Sequence, residues 1–211
     1  YMFVRVTDDT LDVNEDNPDW WWSDDSFLLA VDGDHSGGST VGTELAHINN
    51  GQRWAVRIFP SPGGENSEYG TTGMYHGPSI YQGLPQLAWG HLAPYGAFAS
   101  TISPSGSVHG ATNVTYTYEL KMGVWDFYGL SPSESRRHIF EADEVMGLES
   151  QFGDSDKTDA RNENGYDRTL TVGGNHANAD EYYDHVMVPT EGAVGTTAVE
   201  NATWGRIKSH L

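Results

Sequence analysis

Aspartates that come in pairs are the residues best equipped for chemistry in this chain. Asp8 and Asp9 close an opening apolar stretch, Asp24 and Asp25 precede a second one, and Asp154, Asp156 and Asp159 gather late in the chain. Crowded carboxylates repel one another unless a cation sits among them, and hard oxygen ligands suit calcium. Each group reads either as a structural calcium site or as a solvated acidic edge. Asp12, Asn14 and Asp16 have the one-three-five oxygen spacing of a calcium loop. Asn17 stands where an EF-hand wants glycine, however, and Ser23 where it wants a bidentate glutamate, so the EF-hand is excluded.

Trp20, Trp21 and Trp22 suggest a different chemistry. Sugar recognition needs flat aromatic faces for the apolar side of a pyranose ring and planar polar groups for its hydroxyls. Three consecutive tryptophans cannot all face one way, so at least one is expected to be exposed or to cover a loop. Trp89 and Trp125 are the candidates for opposing walls. The plainer reading is that Trp22 packs in the core, as Trp54 on its clean strand also can.

Other chemistries find little support. The 9 histidines are dispersed without zinc or haem spacing. Acid pairs are so abundant that two carboxylates alone do not argue for glycoside hydrolysis. There is no nucleophile elbow, no phosphate loop and no cysteine nucleophile.

The elements that must position these groups read as strands. Met2, Val4 and Val6 share one face of an opening strand, and SFLLAV (26–31) is a six-residue apolar strand between the paired acids and an Asp-Gly-Asp turn. In RWAVRIF (53–59), Trp54, Val56 and Ile58 face one way, and Arg53 and Arg57 the other. GAFASTIS (96–103) is a further strand, and TYTYELKM (115–122) puts Tyr116, Tyr118, Leu120 and Met122 on one face. Residues 138–152 are ambiguous between a long helix and a helical turn followed by a strand. Long weakly patterned connections lie at about 35–52 and 60–95, a length that often marks function. Tyr1 stands inside a strand pattern, so the reading expects chain upstream of it and a first edge strand that is missing here.

Composition narrows the partners. The chain carries 30 acidic residues against 11 Lys and Arg, a formal charge of -19. That field repels phosphate backbones and anionic membranes, which argues against nucleic acid. No apolar run approaches the roughly 18 residues of a membrane span. With no cysteine, no disulfide staples the fold, while 7 Trp, 11 Tyr and 7 Phe supply large core pieces. Asn113-Val-Thr115 and Asn201-Ala-Thr203 are glycan acceptor triplets.

In chain order, VRVTDDTLD, WWSDDSFLLAVDGD, RWAVRIFPSPG, YTYELKM and FGDSD resemble the family 9 carbohydrate-binding modules and their relatives with the DOMON-like sandwich. Thr7, Asp8, Asp9 and Thr10 match the first block, and Asp24, Asp25, Ser26 and Asp32 the second. Tyr118, Glu119 and Trp125 fit the third loosely, and Asp154 and Asp156 the fourth. The resemblance spans roughly residues 1–170 and departs at Leu28 and Leu29, where the family has a glutamate, and at the absent proline-tryptophan after the Tyr-Glu strand. It implies an aromatic clamp on loops at one sandwich edge.

The expected architecture is all-β: a single antiparallel β-sandwich over 1–211, with long loops. The expected function is non-catalytic carbohydrate binding by an extracellular or cell-surface module, stabilised by calcium and attached to or cleaved from a larger protein. Its ligand is a neutral glycan. The alternatives are a subunit of a surface layer or fibre, self-assembling through the N-terminal strand, and a polysaccharide-degrading enzyme.

Overall fold

The computed structural model describes residues 1–13, 24–41, 45–57, 74–76, 89–90, 92–156, 168–172 and 174–188. Its elements run β1 (Met2–Thr10), β2 (Ser26–Asp32), α1 (Leu45–Asn50), β3 (Gln52–Arg57), β4 (Met74–His76), β5 (Ala97–Ser103), β6 (Thr112–Lys121), β7 (Trp125–Phe127), β8 (Arg136–Arg137), β9 (Val145–Asp154), β10 (Arg168–Val172) and β11 (Tyr183–Val186). Every strand pairing among the described residues is antiparallel.

Two sheets make the sandwich. The smaller has the order β1-β6-β5; the larger runs β10-β9-β2-β3-β4, with β11 also on β9. β9 is long enough to take two partners on one side, β11 along its first half and β10 along its second. β7 and β8 form a separate ribbon.

The core follows from period-two alternation. Val4 of β1 and Tyr116, Tyr118 and Leu120 of β6 meet Phe27, Leu29 and Val31 of β2 and Trp54 and Val56 of β3 in one buried cluster. Phe27 lies nearly parallel to Tyr118 across the two sheets, ring centroids 6.3 Å apart. Fully burying each such side chain contributes about 1.5–3 kcal/mol, which is what holds the layers together.

The larger sheet is covered on its other face as well: every residue of β2 and β3 is buried. The arginines of β3 do point away from the core, yet Arg53 and Arg57 are 6% and 3% exposed, so their face is not a solvent face.

Residues 145–154, within the stretch left ambiguous between a long helix and a helical turn followed by a strand, form strand β9, because β2 pairs along one side of it and β10 and β11 along the other. The excursion at 35–52 contains the short helix α1, whose Ile48 is fully buried. β1 and β2 lie in opposite sheets: β1 pairs with β6, and β2 with β3 and β9. Most of the connection at 60–95 lies outside the described residues. No helix among the described residues is long and apolar enough to cross a membrane.

Candidate functional site

The end of β1, the start of β2 and the end of β9 converge on one acidic rim. Asp25 is buried just ahead of β2, and its carboxylate accepts the Asp12 N–H at 2.6 Å and the Ser155 N–H at 2.9 Å. The Asp25 N–H donates to the Asp12 carbonyl, and the Ser155 hydroxyl to Asp12 Oδ2. Two of these bonds join Asp12 to Asp25, and the other two tie both to Ser155, more than a hundred residues further on. Burial pushes the Asp25 carboxyl up to about 10; the nearby Asp8 charge adds to this, and the two backbone N–H groups oppose it. His109 Nδ1 lies 3.1 Å from Asp12 Oδ1.

Asp8, Asp9 and Asp156 complete the rim, each offering an oxygen within 4.8 Å of the others. Asp8 Oδ1 accepts the Thr10 N–H at 3.0 Å, whereas its Oδ2 is buried and, among the described residues, meets no hydrogen-bond partner. A hard cation fits this donor set. It would meet three carboxylates and give the Asp8 oxygen a partner, with further oxygens from water or backbone.

Across the larger sheet, opposite the core, runs a second polar feature. The register sets Arg53, Ala30 and Glu149 in one cross-strand row, Ala55, Leu28 and Gln151 in the next, and Arg57, Ser26 and Gly153 in the third. Arginines of β3 thus line one side of the band, and Glu149 and Gln151 of β9 the other. Asp24 closes its rim end as a buried ion pair with Arg57. At the other end Tyr182 packs on Leu28, Ala30 and Ala55, and its hydroxyl donates to the His176 carbonyl at 2.9 Å.

Among the described residues, several acceptors in this band meet no donor. Glu149 is fully buried, and among the described residues neither of its carboxylate oxygens meets a hydrogen-bond partner. Gln151 Oε1 and the Ser26 hydroxyl are in the same position. Burial raises the Glu149 carboxyl to about 7, although the Arg53 charge opposes the rise. Burial and then Arg53 hold His176 down at about 4. Gln151 is half-buried, so the band reaches the surface there.

The third feature is an aromatic nest at the Gln52 end of β3, where the Gln52 amide exchanges two hydrogen bonds with the Trp125 backbone. Trp89 stacks on Tyr128, centroids 4.4 Å apart at 11°, and meets Trp125 and Tyr95 edge to face. Its indole N–H donates to the Gly129 carbonyl.

The sequence candidates therefore divide. Asp8, Asp9 and Asp156, drawn from two separate groups, come together. Asp24 is committed to Arg57, Asp25 to backbone N–H groups, and Asp154 lies in the last position of β9. Trp89 and Trp125 touch each other rather than facing across a gap. Trp125, at 5% exposure, uses its ring in packing, which corrects its assignment as an open wall. Asn113 is exposed with a left-handed backbone, φ 55°, near the start of β6. Trp20, Trp21, Trp22, Asp159 and Asn201 lie outside the described residues. Sequence reasoning missed Glu149 and Gln151. The available signal was their alternation with Leu148 and Phe152, the pattern that in β3 was read for its arginines.

No protein-family model and no curated protein matches the chain. Among solved structures, it is similar to a family 9 carbohydrate-binding module from Caldicellulosiruptor kristjanssonii in complex with cellotriose, at TM-score 0.45 and 11% identity, covering 92% of this chain and 73% of that one. It is also similar to a family 9 module from the same organism in complex with glucose, at TM-score 0.48 and 8% identity, with the same coverage.

Proposed function

We propose that this chain is a non-catalytic carbohydrate-binding module that recognises a neutral glycan and is stabilised by calcium at Asp8, Asp9 and Asp156. The observation that carries the glycan reading is the polar band with its unpaired acceptors. Among the described residues Gln151 Oε1, half-buried where the band reaches the surface, has no donor; an acceptor left so costs about 1–3 kcal/mol, and a sugar hydroxyl supplies the O–H. Trp20, Trp21 and Trp22 lead in sequence directly into Asp24, which closes the band, and we assign one of them as its aromatic wall. Trp89, half-buried on its nest, is the second aromatic candidate. A formal charge of -19 disfavours polyanionic glycans. The setting proposed for such a module is extracellular, as part of a larger protein, with Asn113 and Asn201 as glycan acceptors.

Isothermal titration against a panel of neutral and anionic glycans tests the reading. Binding of a neutral glycan is expected. Gln151→Ala should weaken it by about 1 kcal/mol, the worth of one hydrogen bond. Replacing the ligand-facing tryptophan by alanine should cost about 1–3 kcal/mol. Absence of binding across the panel would sink the proposal, and reducing sugar released on incubation would replace it with an enzyme.

One observation favours a second reading, a surface-layer or fibre subunit. β1 is an edge of the three-stranded sheet, with Tyr1 and Phe3 exposed at 66% and 62%. Edge strands of that kind pair with other chains. Elution as a large assembly that a proline at Arg5 disperses would support it.

A further inference from the structure

His138 sits immediately after β8 with a carboxylate on each ring nitrogen. Asp126 Oδ1, from β7, lies 2.5 Å from Nδ1, and Glu144 Oε1, from the turn before β9, lies 2.5 Å from Nε2. The imidazole side chain is 9% exposed. The other oxygens of both carboxylates are already used as acceptors: Asp126 Oδ2 takes the Arg136 Nε–H, and Glu144 Oε2 takes the Glu141 N–H. A neutral imidazole has one N–H and one lone pair, so it would satisfy one carboxylate and turn a lone pair on the other. Only the imidazolium, with two N–H groups, satisfies both.

Among the described residues, the remaining surroundings supply no competing charge to the ring. From the turn after β2, Gly33 faces it, where an added Cβ would come 3.3 Å from the imidazole Cγ. Phe140 meets it edge-on, ring centroids 4.7 Å apart. Val124 accepts its backbone N–H. The charged groups facing His138 are therefore Asp126 and Glu144, with Arg136 held on the far side of Asp126.

We propose that His138 is a proton-dependent clamp that fastens the β7–β8 ribbon to the start of β9 and thereby sets the aromatic nest. The ribbon carries Trp125 and leads directly into Tyr128, on which Trp89 stacks. Loss of the proton removes one of the two bonds and leaves two facing acceptors, which frees that end of the ribbon. Burial alone would lower the His138 pKa, and the Asp126 and Glu144 hydrogen bonds outweigh it, holding the group above its ordinary 6.5. The sign follows. The clamp's stabilisation is complete below the unfolded value of 6.5 and is lost as pH rises through the higher folded value. The clamp acts on Trp89 and Trp125 and stands whether or not the polar band takes a glycan.

A pH titration of the full chain by NMR tests this, with His138 ring nitrogens assigned through His138→Gln and the Trp89 indole N–H through Trp89→Phe. The His138 midpoint is expected above the 6.5 of an ordinary imidazole, with both ring nitrogens protonated below it, and the Trp89 indole signal is expected to shift with the same midpoint. Glu144→Gln, which keeps one clamp arm and the shape of the other, should lower both midpoints together. A His138 midpoint at or below 6.5 overturns the clamp. A Trp89 signal that ignores the His138 titration, or stays put when Glu144→Gln moves it, overturns its hold on the nest.

Discussion

Asp8 of β1 and Asp156, just past β9, belong to opposite sheets, and their carboxylate oxygens come within 4.8 Å of each other. The Asp12–Asp25–Ser155 bonds fix the two segments beside one another, so the approach is imposed by the backbone rather than chosen by flexible side chains. A cation there would cross-link the two layers of the sandwich.

Free calcium should accordingly raise the melting temperature, by an amount corresponding to about 2.7 kcal/mol at a hundredfold excess over the dissociation constant. Asp8→Asn and Asp156→Asn should each abolish most of the response. Magnesium, which demands tight octahedral geometry and keeps its waters, should act more weakly. Identical melting with chelator and with calcium would remove the site.

Glu149 makes stability depend on pH in an unusual direction. Its folded carboxyl is raised from 4.5 to about 7, burial outweighing the Arg53 charge. Between those values the folded chain holds a proton that the unfolded chain releases, so this group's contribution falls as pH rises through the window. Glu149→Gln keeps the shape and removes the titration. The variant should gain on the wild type as pH climbs from about 4.5 to about 7, and the difference should level off above that. Urea unfolding at several pH values reads it directly. A constant difference would mean that Arg53 keeps Glu149 ionised throughout.

The sandwich was legible in the sequence where one periodicity governed the outcome. Met2 to Val6, Trp54 to Val56 and Tyr116 to Leu120 alternate because one face meets the core, and their core faces are where alternation puts them. The merging of Asp8 and Asp9 with Asp156 was not legible. It depends on β1 and β9 lying in different sheets, which no local spacing encodes. Arg53, Glu149 and Gln151 were hidden for a related reason. A charged residue alternating with apolar ones reads as solvent-facing, and in this sheet the second face is covered too. Trp125 was read as a loop aromatic because only the tertiary contact with Trp89, Tyr95 and Tyr128 makes it core.

Tyr118 offers a test inside the core. It is fully buried between the sheets, and among the described residues its hydroxyl has no hydrogen-bond partner. An orphaned buried hydroxyl is a cost that phenylalanine avoids with almost the same shape. Tyr118→Phe should leave stability unchanged or raise it by about 1 kcal/mol, with an unaltered denaturant slope. A clear loss would mean that the hydroxyl has found a donor or acceptor in solution.

The Asp24–Arg57 pair should behave in the opposite way, because both members are needed. Their side chains are 1% and 3% exposed, so each charge has left water and depends on its neighbours for compensation. Asp24→Ala would take the buried Arg57 guanidinium's carboxylate partner away, at a cost of about 3–5 kcal/mol. Arg57→Met alone would take the guanidinium from the buried Asp24 in turn. The double variant removes both charges and fills the space with an apolar chain, and buried pairs replaced in this way often recover much of the loss. The double variant should therefore be markedly more stable than the sum of the single losses predicts, a coupling measurable by urea unfolding of all four proteins. Strict additivity would show that solvent reaches one of the two groups and that the pair does not hold this end of the band.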